Sequence, residues 1–112
     1  MKKINFDKVT KYGVRQVVGY VIKHSCHPNR QFVICRGTKT YNDASYKVLD
    51  NWAVYDRTTG VQIPGFGIPK TRKEMEETLL TRLYKYTPEA IQLKVENQQL
   101  RIATHILTGE PT

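Results

Sequence analysis

Thr71-Arg72-Lys73-Glu74 divides this chain into two kinds of sequence. The tetrapeptide has the form of a capping box: the threonine hydroxyl can accept from the amide three residues on, and the glutamate can reach back to the open amides of the first turn. Behind it, Met75, Leu79, Leu80 and Leu83 recur at the spacing of one helical face. Thr87-Pro88-Glu89 opens a second helix, with threonine as N-cap and proline at the first helical position, and Gly109 suits the residue just beyond its end. Ahead of the box the apolar residues come in short runs rich in valine and isoleucine, broken by glycine and proline. A chain that places strands first and helices afterwards folds as α+β. The expected architecture is an antiparallel three- or four-stranded sheet backed by two C-terminal helices, in a single domain over residues 1–112.

Residues 14–22, Val-Arg-Gln-Val-Val-Gly-Tyr-Val-Ile, fit a strand by composition and a helical stripe by spacing. Gly13 and Gly19 would each cost a helix about 1 kcal/mol, and the β-branched residues lose χ1 freedom there, so strand is the favoured reading. Residues 31–36 read as a short strand stopped by Gly37, and residues 37–45 as a polar loop. Residues 46–56 read as a strand with Trp52, Val54 and Asp56 on one face and Ala53 and Tyr55 on the other. Arg57-Thr58-Thr59-Gly60 is a hairpin turn with glycine where a positive φ is needed, and Val61-Gln62-Ile63 is the expected return strand.

Towards the C-terminus, Ile91, Leu93 and Val95 alternate, as do Leu100 and Ile102, so a hairpin turning near Asn97 competes with the second helix. The caps and the Glu, Gln, Lys, Leu and Arg content decide for helix. That helix is apolar on two sides, with Ile91, Val95, Ile102 and Ile106 on one and Leu93, Leu100 and Leu107 on another. Met75, Leu79 and Leu83 offer a stripe to cover the second side, which favours a monomer; a homodimer through Leu93, Leu100 and Leu107 is the alternative.

The charge is as unevenly divided as the secondary structure. Residues 1–73 carry 14 Lys and Arg against 4 Asp, a balance of +10, while residues 74–112 carry 4 against 6 Glu, a balance of −2. A basic body points to an anionic partner, most often nucleic acid. Arg36, Lys39, Tyr41, Tyr46, Lys47, Trp52, Tyr55 and Arg57 interleave cations with aromatics, a mixture that suits phosphates and bases together. Trp52 sits in an alternating strand and is expected in the core, whereas Tyr41 is expected to be exposed. Lys70, Arg72 and Lys73 crowd the positive end of the first helix, a placement that makes sense if an anion docks there. The nucleic-acid-binding residues expected from sequence are therefore Arg30, Arg36, Lys39, Tyr41, Lys47, Arg57, Lys70, Arg72 and Lys73.

Other chemistries fit the sequence less well. No glycine precedes a Lys-Ser/Thr pair at P-loop distance, and no paired carboxylates lie in the basic region, so an enzyme is not expected. His24, Cys26, His27 and Cys35 invite a zinc reading, but their spacing lacks the tight ligand pairs zinc sites use, and neither metal nor cofactor is expected. Two cysteines are too few for a disulfide framework, which fits a cytoplasmic protein. No apolar run approaches a bilayer span, and the first residues lack a signal-peptide pattern.

Trp52-Ala53-Val54-Tyr55-Asp56-Arg57-Thr58-Thr59-Gly60, then Gly65-Phe66, then Thr71-Arg72-Lys73-Glu74, resembles the strand–turn–strand–helix units of small phage- and plasmid-encoded proteins. These include the arm-type DNA-binding domains of phage integrases. The resemblance spans residues 46–86 and implies a sheet face that enters a DNA groove with a helix packed behind it. The Ile-Pro insertion around Gly67 departs from the family's short connection, and the long final helix has no counterpart there. The expected function is a small non-enzymatic nucleic-acid-binding accessory or regulatory protein of the kind mobile elements carry. The alternative is a protein-binding regulator or inhibitor that turns its basic face to an acidic partner.

Overall fold

The computed structural model describes the backbone of residues 2–42 and 47–108, and the side chains of residues 2–37 and 51–104. Four antiparallel strands come first, β1 (Lys2–Thr10), β2 (Gly13–Lys23), β3 (Gln31–Asn42) and β4 (Lys47–Asp56), ordered β1-β2-β3-β4 in one sheet. Helix α1 (Arg72–Arg82), a 3-10 turn at Leu83–Lys85 and helix α2 (Pro88–Thr108) follow. The α+β arrangement expected from the sequence is the one the chain adopts.

The helix caps form as the sequence implies. Thr71 Oγ1 accepts from the Glu74 amide at 3.1 Å, and Glu74 Oε2 accepts in return from the Lys70 amide at 3.0 Å. Thr87 Oγ1 accepts from the Ala90 amide at 3.1 Å, and the helix it starts runs through Asn97, where the competing hairpin would have turned. Gly109 lies outside the described residues.

Three strand expectations need correction. Residues 2–10, whose local pattern marks no element, form β1: Ile4 and Phe6 turn to the same side across charged and polar neighbours, and nine residues pair with β2. Gly37 does not stop β3. It takes φ +116° and absorbs a register shift between Arg36 and Thr38, after which pairing with β4 resumes; this bulge replaces part of the expected loop. Tyr41 therefore lies within a strand, paired with Val48. Residues 43–46 lie outside the described residues. The return strand over residues 61–63 shrinks to a single bridge, Tyr55 with Gln62, flanked by Ile63 N to Val54 O at 2.8 Å and Asp56 N to Val61 O at 2.9 Å.

Both faces of the sheet are covered, which explains why β3 reads Phe-Val-Ile-Cys without alternation. Phe32, Ile34, Val54 and Ile22 pack under the helices with Met75, Leu79, Leu83, Ile91 and Val95. On the other face Phe6, Val21, Val33, Cys35, Ala53 and Tyr55 make a second cluster, which includes no helix residue among the described residues. The sheet covers this cluster by curling. Val9 N donates to Gly60 O at 2.9 Å, and the Phe6 ring lies 5.7 Å from that of Tyr55, so β1 meets the turn that leaves β4. Gly60 has φ +73°, and a Cβ there would lie 2.1 Å from Asp7 O. Only glycine meets both demands.

Asp56 anchors that turn. Its Oδ1 accepts from the Thr58 amide at 2.9 Å and the Thr59 amide at 3.0 Å, while Oδ2 pairs with Arg30. Arg30 also donates to Gln92 of α2, tying the β2–β3 loop, the turn and the helix together. His24 and His27, in the same loop, reach the carbonyls of Leu80 in α1 (3.4 Å) and of Leu83 in the 3-10 turn (3.1 Å), the latter also accepting from the Tyr86 amide.

The helical stripes sort differently from expectation. Leu80 is exposed, while Met75, Leu79 and Leu83 close over Ile91 and Val95 rather than over the leucines. Leu93 is 57 % exposed and Leu100 65 %, so the cover on which the monomer expectation rested is not provided by α1. The side chain of Leu107 lies outside the described residues. Among the described residues, no helix is long and apolar enough to cross a membrane.

Candidate nucleic-acid interface

On the helix-covered face, beside the start of α1, two aromatic rings sit between cations. Tyr20 of β2 and Trp52 of β4 lie 6.1 Å apart, ring centre to ring centre, and both are half-buried. The Arg72 guanidinium stands 4.5 Å over the Tyr20 ring. Arg36 is the strand partner of Trp52 and is exposed. The Trp52 amide donates to Pro69 O at 2.9 Å, which brings the exposed Lys70 and Lys73 to the same end of the sheet. Arg36 and Arg72 thus flank one aromatic pair, and Lys70 and Lys73 adjoin Arg72 in the chain at the same end of the sheet.

The pieces are held by ordinary forces. An arginine over a phenol ring gains about 0.5–1 kcal/mol at an exposed site, and the half-buried indole adds apolar contact beneath it. The capping box satisfies the Lys70 and Glu74 amides from within the chain. Two amides at the helix start are thus taken up from within the chain, and the side-chain cations add their attraction for an anion to that of the first-turn amides. Among the described residues, Lys70, Arg72 and Lys73 have no carboxylate partner.

The remaining predicted residues lie elsewhere. Arg30 is taken up by Asp56 and Gln92 and serves the fold. Arg57 donates to Gln31 at the opposite end of the β3–β4 pair, about five residues or ~16 Å along the strand from Arg36. Lys39, Tyr41 and Lys47 belong to the part of β3 and β4 beyond the bulge, and their side chains lie outside the described residues. Among the described residues no three metal-ligating side chains converge: His24 and His27 face α1, whereas Cys35 belongs to the cluster on the other face of the sheet. Burial raises the Cys35 thiol pKa above its ordinary value, with Lys8 pulling weakly the other way.

A second basic region was not anticipated. At the β1–β2 turn an open cleft of about 680 Å³ is lined by Lys8, Lys11, Tyr12 and Arg15, with Gln62 and Gln98 reaching it from distant parts of the chain. The signal the sequence held was Ile4 and Phe6 alternating ahead of Lys11-Tyr12-Gly13, too short a pattern to mark a hairpin without its strand pairing.

No family model, curated protein or solved structure matches this chain.

Proposed function

We propose that this chain is a small non-enzymatic nucleic-acid-binding protein, an accessory or regulatory factor acting in the cytoplasm. It holds phosphates with Arg36, Lys70, Arg72 and Lys73 beside the Tyr20–Trp52 pair. The observation that carries the reading is this meeting of cations, far apart in sequence, around half-buried aromatics. The +10 balance of residues 1–73 supplies the long-range attraction. Lys39, Tyr41 and Lys47 lie further along the same two strands.

The triple variant Arg36→Gln, Lys70→Gln, Lys73→Gln tests the reading. All three side chains are exposed, so the fold should persist. Each phosphate that is no longer neutralised makes the slope of log affinity against log salt shallower by about 0.9 on duplex DNA. The variant should therefore bind more weakly, with a slope shallower by about 2–3. Unchanged affinity and slope would place the interface elsewhere.

A further inference from the structure

The cleft at the β1–β2 turn has the chemistry of a separate site. Lys8 and Arg15 are direct strand partners, so two like charges face each other on one side of the sheet. Such a pair is destabilising in isolation and becomes favourable when an anion lies between its members. Lys11 adds a third cation at the rim, and among the described residues the lining contains no acidic side chain. Asp7, the nearest acid in β1, pairs with Gln16 on the opposite side of the strands.

Aromatic and amide groups complete it. Tyr12 is 77 % exposed at the tip of the hairpin, and Lys11 stands 5.1 Å from its ring centre. The Lys8 ammonium lies 5.4 Å from the ring centre of Tyr55, which also lines the cleft. Gln62 and Gln98 bring side-chain amides, each able to donate and accept towards a base edge. The hairpin is fixed before any ligand arrives: Thr10 Oγ1 donates to Gly13 O at 2.9 Å and accepts from the Tyr12 amide at 3.2 Å.

From these features we infer that the cleft binds a short stretch of single-stranded nucleic acid, with a phosphate between Lys8 and Arg15 and a base stacked on Tyr12. The shape decides for a single strand. A duplex keeps its bases stacked inside a convex cylinder, whereas an unpaired strand can put a phosphate and a splayed base into a recess of this size. The inference rests on the nucleic-acid reading of the whole protein but concerns a different surface: none of Tyr20, Trp52, Arg36, Lys70, Arg72 and Lys73 lines the cleft.

The experiment is fluorescence anisotropy with a labelled single strand and the matching duplex, at equal salt. It uses the full chain and the variants Arg15→Gln, Lys8→Gln/Arg15→Gln, Tyr12→Ala and Tyr12→Phe. Tyr12→Ala should weaken single-strand binding about 5- to 140-fold, the range spanned by loss of one base stack, and Tyr12→Phe should keep it. Each neutralised phosphate is worth about 0.7 of slope on a single strand, so the double variant, which leaves one phosphate without either cation, should flatten the salt slope by about 0.7, and Arg15→Gln alone, at an exposed residue, by less. Duplex binding should change little in all four. Loss from Tyr12→Ala and Arg15→Gln confined to the single strand supports the inference. Single-strand affinity unchanged in both overturns it, as does equal loss on both ligands. Failure of the unmodified protein to bind either ligand would instead remove the reading of the whole protein as a nucleic-acid binder.

Discussion

Replacing Gly60 by alanine tests how the fold closes. At φ +73° an L side chain costs about 1–2 kcal/mol. The new methyl would also lie 2.1 Å from the Asp7 carbonyl oxygen, a backbone atom that cannot swing aside as a side-chain tip can. Either β1 or the turn must move. Movement breaks the bond from Val9 N to Gly60 O, worth about 1 kcal/mol, and loosens Phe6 from Tyr55, worth about 0.5–1.5 kcal/mol. The total is about 3–4 kcal/mol, against an expected stability of roughly 6–17 kcal/mol for a chain of this length. At about 4 °C per kcal/mol, Tm should fall by roughly 12–16 °C. Gly67 provides the control. Its φ of +76° is nearly the same, but the nearest atom to an added Cβ is Arg82 Nη1 at 3.8 Å, so Gly67→Ala should lose only the conformational 1–2 kcal/mol, on the order of 4–8 °C. Urea unfolding followed by Trp52 fluorescence measures both. Equal losses in the two variants would refute the claim that β1 is held against the turn after β4.

Asp56→Ala should cost about 3–5 kcal/mol in the same assay, because it strands Arg30 and leaves the Thr58 and Thr59 amides without their acceptor. Leu100→Glu should change stability by no more than about 0.5 kcal/mol, and light scattering should show the same mass before and after; a drop in mass would mean that the exposed leucines pair two chains. A thiol reagent should modify the exposed Cys26 quickly and Cys35 only on unfolding. Since burial raises the Cys35 pKa in the folded chain, its contribution favours folding below the ordinary thiol range and fades as pH rises through the folded value. Cys35→Ala should remove that part of the alkaline loss of stability.

The helices were legible because their ends are written locally. Thr71 with Glu74, and Thr87 with Pro88, name their own hydrogen-bond partners within four residues. The strands were harder because their partners are distant. β1 carries only Ile4 and Phe6 as apolar markers before Val9, and its burial depends on the sheet curling to bring Phe6 to Tyr55. Gly37 looked like a stop because a bulge and a turn ask for the same positive φ, and only the register with β4 separates them. Among the predicted cations, Arg36, Lys70, Arg72 and Lys73 could be grouped only once β3 and α1 were placed side by side. The tie from Arg30 to Asp56 could not be read from the sequence because its partner lies 26 residues away. The cleft went unseen for the same reason as β1: Lys8 and Arg15 are neighbours across a hairpin that the local pattern barely announces.

The central claim, that this basic surface exists to hold nucleic acid, is tested most directly by titrating labelled duplex and single strands with the unmodified protein across a range of salt. Four cations in the helix-side patch predict a linear log–log plot with slope about −3 to −4 on duplex, and the cleft, where Lys8 and Arg15 share one phosphate and Lys11 stands at the rim, about −0.7 to −1.4 on a single strand. No binding at low salt, or binding that does not weaken as salt is added, would contradict it.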